Sequence, residues 1–182
     1  MGEASQGIFV GCLNNRVYAR VVGRGTFQNS RALRQFALER IDQGQDEFVI
    51  DLGHCQGMDS TFLGILAVIG LRLRHAGTMA TIRIVNVNPR NREVLQTLGL
   101  DRLFSIDGEP PATLADIDYH LLADTDVTQL KRPLDKVKTA NLMVEAHDGL
   151  VRIDQRKSPR FRELARILRQ ANQSSTPSAR SH

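Results

Sequence analysis

The stretch FVIDLGHCQGMDSTFLGILAVIG, Phe48–Gly70, decides how this chain folds. Its opening, FVIDLG, is short, apolar and β-branched, which suits a central strand buried on both faces. After a polar loop, Asp59, Ser60 and Thr61 stand directly before the greasiest run of the chain. Asp and Ser both cap helices well, so a helix is expected from about Ser60. From Phe62 to Leu73 the residues are apolar almost all round, which predicts a heavily buried helix rather than an amphipathic one. Arg72, Arg74 and His75 favour the C-terminal pole of its dipole, and Gly77 stops it.

Working outward toward the N-terminus, GIFVG and RVYARVVG read as two strands around Asn14-Asn15, a dipeptide that tolerates positive φ and suits a tight hairpin. Val17, Ala19 and Val21 alternate with Tyr18, Arg20 and Val22, and Gly23 and Gly25 break the pattern. Ser30 is then expected to cap a helix with Leu33, Phe36, Ala37 and Ile41 on one stripe, ended by Gly44. Toward the C-terminus, TIRIVNV supplies another strand. Pro89 suits the first turn of a helix carrying Val94, Leu95 and Leu98, Gly99 ends it, and LFSI gives a last short strand. Strands alternating with helices after a hairpin predict an α/β layer with a mixed sheet.

Glu109-Pro110-Pro111 marks a boundary. Residues 1–110 are expected to form the sheet domain, 111–172 a linker and helical extension, and 173–182 a tail disordered by composition. Thr113 to Asp126 is acidic and mildly apolar, and LKRPLDKVK is expected to be partly extended around Pro133. Leu142, Met143 and Ala146 then form one helical stripe, and Phe161, Leu164, Ala165 and Leu168 another. Such a pair is too small for its own core. It should pack on the sheet domain or on a second copy. The homodimer is slightly favoured, because the linker around Lys131-Arg132-Pro133 gives the helices reach.

With 41% hydrophobic and 24% charged residues, the chain has the composition of ordinary globular protein. The run Phe62–Leu71 is about half of what a bilayer needs, and MGEASQG has neither a charged nor an apolar leader region. No membrane insertion is expected, and the cytoplasm is the expected location. The net charge of +4 is concentrated from Arg152 onward, where basic residues outnumber Asp154 and Glu163. A basic tail on a nearly neutral body argues against direct nucleic-acid binding. The two cysteines, Cys12 and Cys55, form no CxxC motif and read as small core residues. His54, His75, His120, His147 and His182 show no metal spacing. His54 and Cys55 have opposite strand parity and no orienting partner, and no phosphate-binding glycine loop occurs. Neither catalysis, nor a cofactor, nor a metal site is expected.

Local chemistry leaves Asp59-Ser60-Thr61 with two readings. Either Asp59 and Ser60 only cap the helix, or Ser60 presents a hydroxyl to a partner enzyme. A helix N-terminus tolerates a phosphate through its dipole and free amides, so a phosphate on Ser60 would alter the surface rather than unravel the helix. Beside Asp59 it would add charge and repulsion at an interface.

These residues resemble the central motif of the STAS domain (sulfate transporter and anti-sigma factor antagonist), in which a strand ending in Asp-Leu precedes an Asp-Ser-Ser/Thr-Gly-Leu-Gly turn and helix. The later segment IRIVNVNPRNREVLQTLGLDRLFSI is similar to the family's next strand, Asn-x-x-Pro turn, third helix and closing strand, and together the two cover roughly residues 6 to 108. The resemblance implies a STAS-like mixed β-sheet covered by α-helices, here with an added C-terminal helical extension. In the antagonist branch it implies a non-enzymatic partner-switching regulator. An anti-sigma factor that is also a serine kinase would phosphorylate Ser60 and a serine phosphatase would reverse this, with Asp59, Thr61, Phe62 and Gly64 in the partner-binding surface. The alternative is a STAS scaffold or subunit of a stress-signalling or transport-associated complex, in which Ser60 is only a cap. One position departs from the motif: the family's first glycine is Phe62 here, while the second is kept as Gly64. Phe62 must therefore fill a pocket in the partner or pack back on the domain.

Overall fold

The computed structural model describes residues 6–77, 81–106, 110–122 and 136–153. β1 (Gly7–Leu13) and β2 (Arg16–Gly25) form the hairpin, with Asn14 and Asn15 at φ 51° and 63° in the turn. Two successive positive φ angles match the right-handed twist of the flanking strands, which is why an Asn pair serves here. β3 (Glu47–Asp51) runs parallel to β2, β5 (Thr81–Val85) parallel to β3, and β6 (Phe104–Ile106) parallel to β5. β7 (His120–Leu121) adds antiparallel to β1, giving the order β6-β5-β3-β2-β1-β7. β4 (Cys55–Met58) pairs parallel with the end of β2 across an irregularity at Gly23/Arg24.

α1 (Phe27–Asp42) buries Leu33, Phe36, Ala37 and Ile41 as the stripe predicts, but it begins earlier than expected. Thr26 is its N-cap, and the Asn29 side chain accepts from the Thr26 amide at 2.8 Å. Ser30, expected as the cap, is instead buried in the first turn, its hydroxyl donating to the Phe27 carbonyl. The backbone already in a helical turn at Phe27 leaves Ser30 no orphan amide to cap. α2 (Ser60–Ala76) and α3 (Pro89–Thr97, with Asn88 as N-cap) start where the sequence places them.

The sheet carries two apolar layers. On one face Val17, Ala19, Val21, Phe48, Ile50, Ile82 and Ile84 join the helices in the main core. On the other, Tyr18, Val49 and Val85 are covered by Ile117, with Leu114 and Tyr119 beside it. Residues 111–122, placed by composition in the extension, cross the back of the sheet through a 3₁₀ turn at Ala112–Asp116 and end as its edge strand. Arg20 is held under this strap, its guanidinium 4.3 Å from the Tyr119 ring centre.

α4 (Lys136–Ile153) begins within the run expected to be extended. Its buried residues Leu142, Ala146 and Leu150 belong to the main core of the same chain. The stripe expected to favour a second copy is therefore met by α2, whose all-round apolar surface needs cover on both sides. The second stripe, Phe161 to Leu168, and the tail 173–182 lie outside the described residues. No described helix is long and apolar enough to cross a membrane, and no described cluster of His, Cys, Asp or Glu could hold a metal ion.

Candidate functional site around Asp59 and Ser60

Asp59 sits where two helices begin. Its backbone amide donates to the Gly25 carbonyl at 2.9 Å, fixing the chain against the end of β2. From there one carboxylate oxygen accepts from the Phe62 amide in the first turn of α2 at 2.8 Å, and the other from the Phe27 amide of α1 at 2.7 Å. One carboxylate thus satisfies an orphan donor at each of two helix N-termini and faces the positive end of both dipoles. The capping task falls to Asp59. Ser60 is the first residue of α2 and is exposed, so the reading of Ser60 as the cap is corrected by the geometry.

The next three residues turn inward. Thr61 is 5% exposed and Phe62 fully buried, with its ring against Gly25, where a Cβ would come within 2.7 Å of it. Gly64 is buried beneath α4, and a Cβ there would run into the Ala146 carbonyl. Of the residues expected in a partner-binding surface, Asp59 is half-buried and Thr61, Phe62 and Gly64 are covered. Ser60 is the member of the motif that meets solvent.

The two separated sequence motifs are stitched together by asparagines. Asn86, at φ 55°, donates its amide to Asp51 at 3.0 Å. Asp51, 4% exposed, also accepts from the Gly53 amide and from Arg20 Nε at 2.9 Å. Asn88 and Asn91 both donate to the Cys55 carbonyl, at 3.1 and 2.9 Å, while Asn88 caps α3 by accepting from the Asn91 amide. The loop that delivers Asp59 is therefore clamped from the β5–α3 turn. Asn86, Asn88 and Asn91 were not foreseen as site residues. Their spacing around Pro89 is the signal, since an Asn before a helix-starting Pro reads as a cap.

Cys55 is buried, and desolvation pushes its thiol up, whereas Cys12 is exposed on β1. In the folded chain iodoacetamide at pH 8 should modify Cys12 and leave Cys55 intact until denaturant is added. Peptide mapping checks this, and equal labelling of both would contradict the clamped loop.

The family model described as Mlab, STAS domain matches residues 14–106, just over half the chain. The chain belongs to the STAS family. No curated protein matches it. Solved structures that share the fold include two anti-sigma factor antagonists. The anti-sigma factor antagonist SpoIIAA in its unphosphorylated form is 16% identical at a TM-score of 0.51, over 60% of this chain and 96% of its own. An anti-sigma factor antagonist from Mycobacterium paratuberculosis is 23% identical at a TM-score of 0.51, over 62% and 94%. The family match spans β2 to β6, α1–α3 and the Asp59-Ser60 turn, while β1 and β7 lie outside it. The α4 cover lies beyond residue 106, outside the family match.

Proposed function

We propose that this chain is an anti-sigma factor antagonist-like regulator that binds an anti-sigma factor/serine kinase and is switched by phosphorylation at Ser60. The observation that carries this reading is the division of labour at the α2 start. Asp59 caps both helices, so the exposed Ser60 hydroxyl has no protein partner among the described residues and is open to phosphoryl transfer. A phosphate at the first helical position gains from the dipole of α2, so the helix survives. Next to Asp59 it places up to two added negative charges on the contact surface, and binding is lost by repulsion and desolvation. A serine phosphatase restores the binding form, and the switch operates in the cytoplasm without membrane insertion or direct nucleic-acid contact.

A second reading rests on the Mlab description of the matching family model: a STAS subunit of a stable complex in which Ser60 is never modified. Calorimetry with the cognate kinase separates the two. Ser60→Ala should bind constitutively, and Ser60→Asp at least about tenfold more weakly, roughly 1.4 kcal/mol. Both should stay folded, since Asp59 keeps the caps. Equal affinities, together with no phosphate on Ser60 in cell-derived protein, would favour the stable subunit.

A further inference from the structure

Asp51 ties the loop that leads to Ser60 to the back of the sheet. A carboxylate as enclosed as this one needs both its charge and its lone pairs answered. Three donors do so. The Gly53 amide and the Asn86 side chain share one oxygen, each at 3.0 Å, and Arg20 Nε takes the other at 2.9 Å. The first two bonds fix the start of the loop and the β5–α3 turn that clamps the Cys55 carbonyl. The third is the counter-charge, supplied from β2, where Arg20 stands in register with Asp51.

Arg20 is in turn held by the strap. Its guanidinium lies 4.3 Å from the centre of the Tyr119 ring. The Tyr119 hydroxyl finds no hydrogen-bond partner among the described residues, so the ring face is what this side chain contributes. Gly11 makes room for the strap, since a Cβ there would come within 2.6 Å of Ile117 and 2.8 Å of the Asp118 carbonyl. Beyond Tyr119, the Leu122 amide donates to the Ile8 carbonyl at 2.7 Å. The ring is therefore fixed on both sides, by Ile117 in the back layer and by the pairing with β1.

We infer that Arg20 is a positioning residue for the Ser60 loop, and that the strap, through Tyr119, is the latch that sets how firmly this loop is held. The route runs from the Tyr119 ring to the Arg20 guanidinium, the Asp51 carboxylate, the Gly53 amide and Asn86, and from there to the clamped loop ahead of Asp59. It calls for an arginine, whose planar fork can stack on a ring while Nε points in its own plane at a carboxylate. The family match ends at residue 106, so the latch is supplied by sequence outside it. That a kinase reads the firmness of the loop rests on the proposed function; the latch itself does not.

Two readouts follow the loop in the full-length native chain. One is the rate at which iodoacetamide labels Cys55, resolved from Cys12 by peptide mapping, and the other is hydrogen exchange of the Asp59 amide, which donates to the Gly25 carbonyl. Tyr119→Leu removes the stacked ring and should speed both by at least about fivefold, while Tyr119→Phe keeps the ring and should stay within about twofold of wild type. The increase should hardly vary at low urea, because it reports a local opening; a merely weakened fold would open through global unfolding, whose rate rises steeply with urea. In an Arg20→Gln chain the route is already cut, so adding Tyr119→Leu should change either rate by less than about twofold. Where Arg20→Gln fails to fold, the comparison of Leu with Phe at position 119 still decides, since neither changes a charge. Equal rates in those two chains, an increase that tracks global unfolding, or the same increase with and without Arg20 would overturn the latch. Neither readout involves a kinase or a phosphate, so the latch stands or falls separately from the Ser60 switch.

Discussion

An Asp59→Ala chain is expected to lose on the order of 2–4 kcal/mol of stability in urea unfolding, while Ser60→Ala stays within about 0.5 kcal/mol of wild type. The two residues are neighbours with similar capping propensity, so the contrast comes from geometry. Asp59 accepts from the Phe62 and Phe27 amides with separate oxygens, and each bond is charge-assisted. Removing the carboxylate leaves both amides without their acceptor at the junction of α1, α2 and the end of β2. A single lost cap costs about 1 kcal/mol, and here two go together. Asp59→Asn refines the test. Its one carbonyl oxygen can serve only one of the two amides, so it should fall between wild type and Asp59→Ala. A loss in Asp59→Ala no larger than that in Ser60→Ala would show that the double cap contributes nothing.

Asp59 also illustrates what the sequence could and could not reveal. Composition offers Asp59 and Ser60 as equal caps, because both side chains can accept from a first-turn amide. The decision is made by a long-range bond from the Asp59 amide to the Gly25 carbonyl, which no local pattern encodes. The hairpin, β3, β5, α2 and α3 are legible because each is specified by contiguous residues: two asparagines for a turn, an apolar β-branched run, an Asn-Pro start. β4 is not, since only Cys55 of its four residues is buried and its register with β2 shifts between Gly23 and Arg24. β7 has two exposed residues and exists because β1 offers an edge. The seat of α4 was half legible. A helix apolar on all sides calls for cover on two sides, but only the fold shows that Gly64 and Gly149 let the second cover come from the same chain.

The largest loss is expected at Phe62. Fully buried between α2 and the end of β2, it should cost about 3–5 kcal/mol when truncated to Ala, and Phe62→Gly should cost about 1 kcal/mol more for the weaker helix propensity. That loss would appear as a lower melting temperature rather than as altered partner choice, because the ring has no exposed surface with which to choose. The facing residue provides the sharper test. Gly25→Ala puts a methyl 2.7–2.8 Å from three carbons of the Phe62 ring, and a ring enclosed by core cannot step aside, so overpacking should cost about 1–3 kcal/mol. In the Phe62→Ala background the same methyl enters vacated space. The double variant should then be more stable than the sum of the single losses implies by at least about 1 kcal/mol. Additivity within about 0.5 kcal/mol would mean that ring and glycine do not share one volume. Coupling would tie the aromatic at the motif's glycine position to a strand glycine that makes room for it. It would also explain how the turn presenting Ser60 keeps its place, because Gly25 both faces the ring and accepts the Asp59 amide.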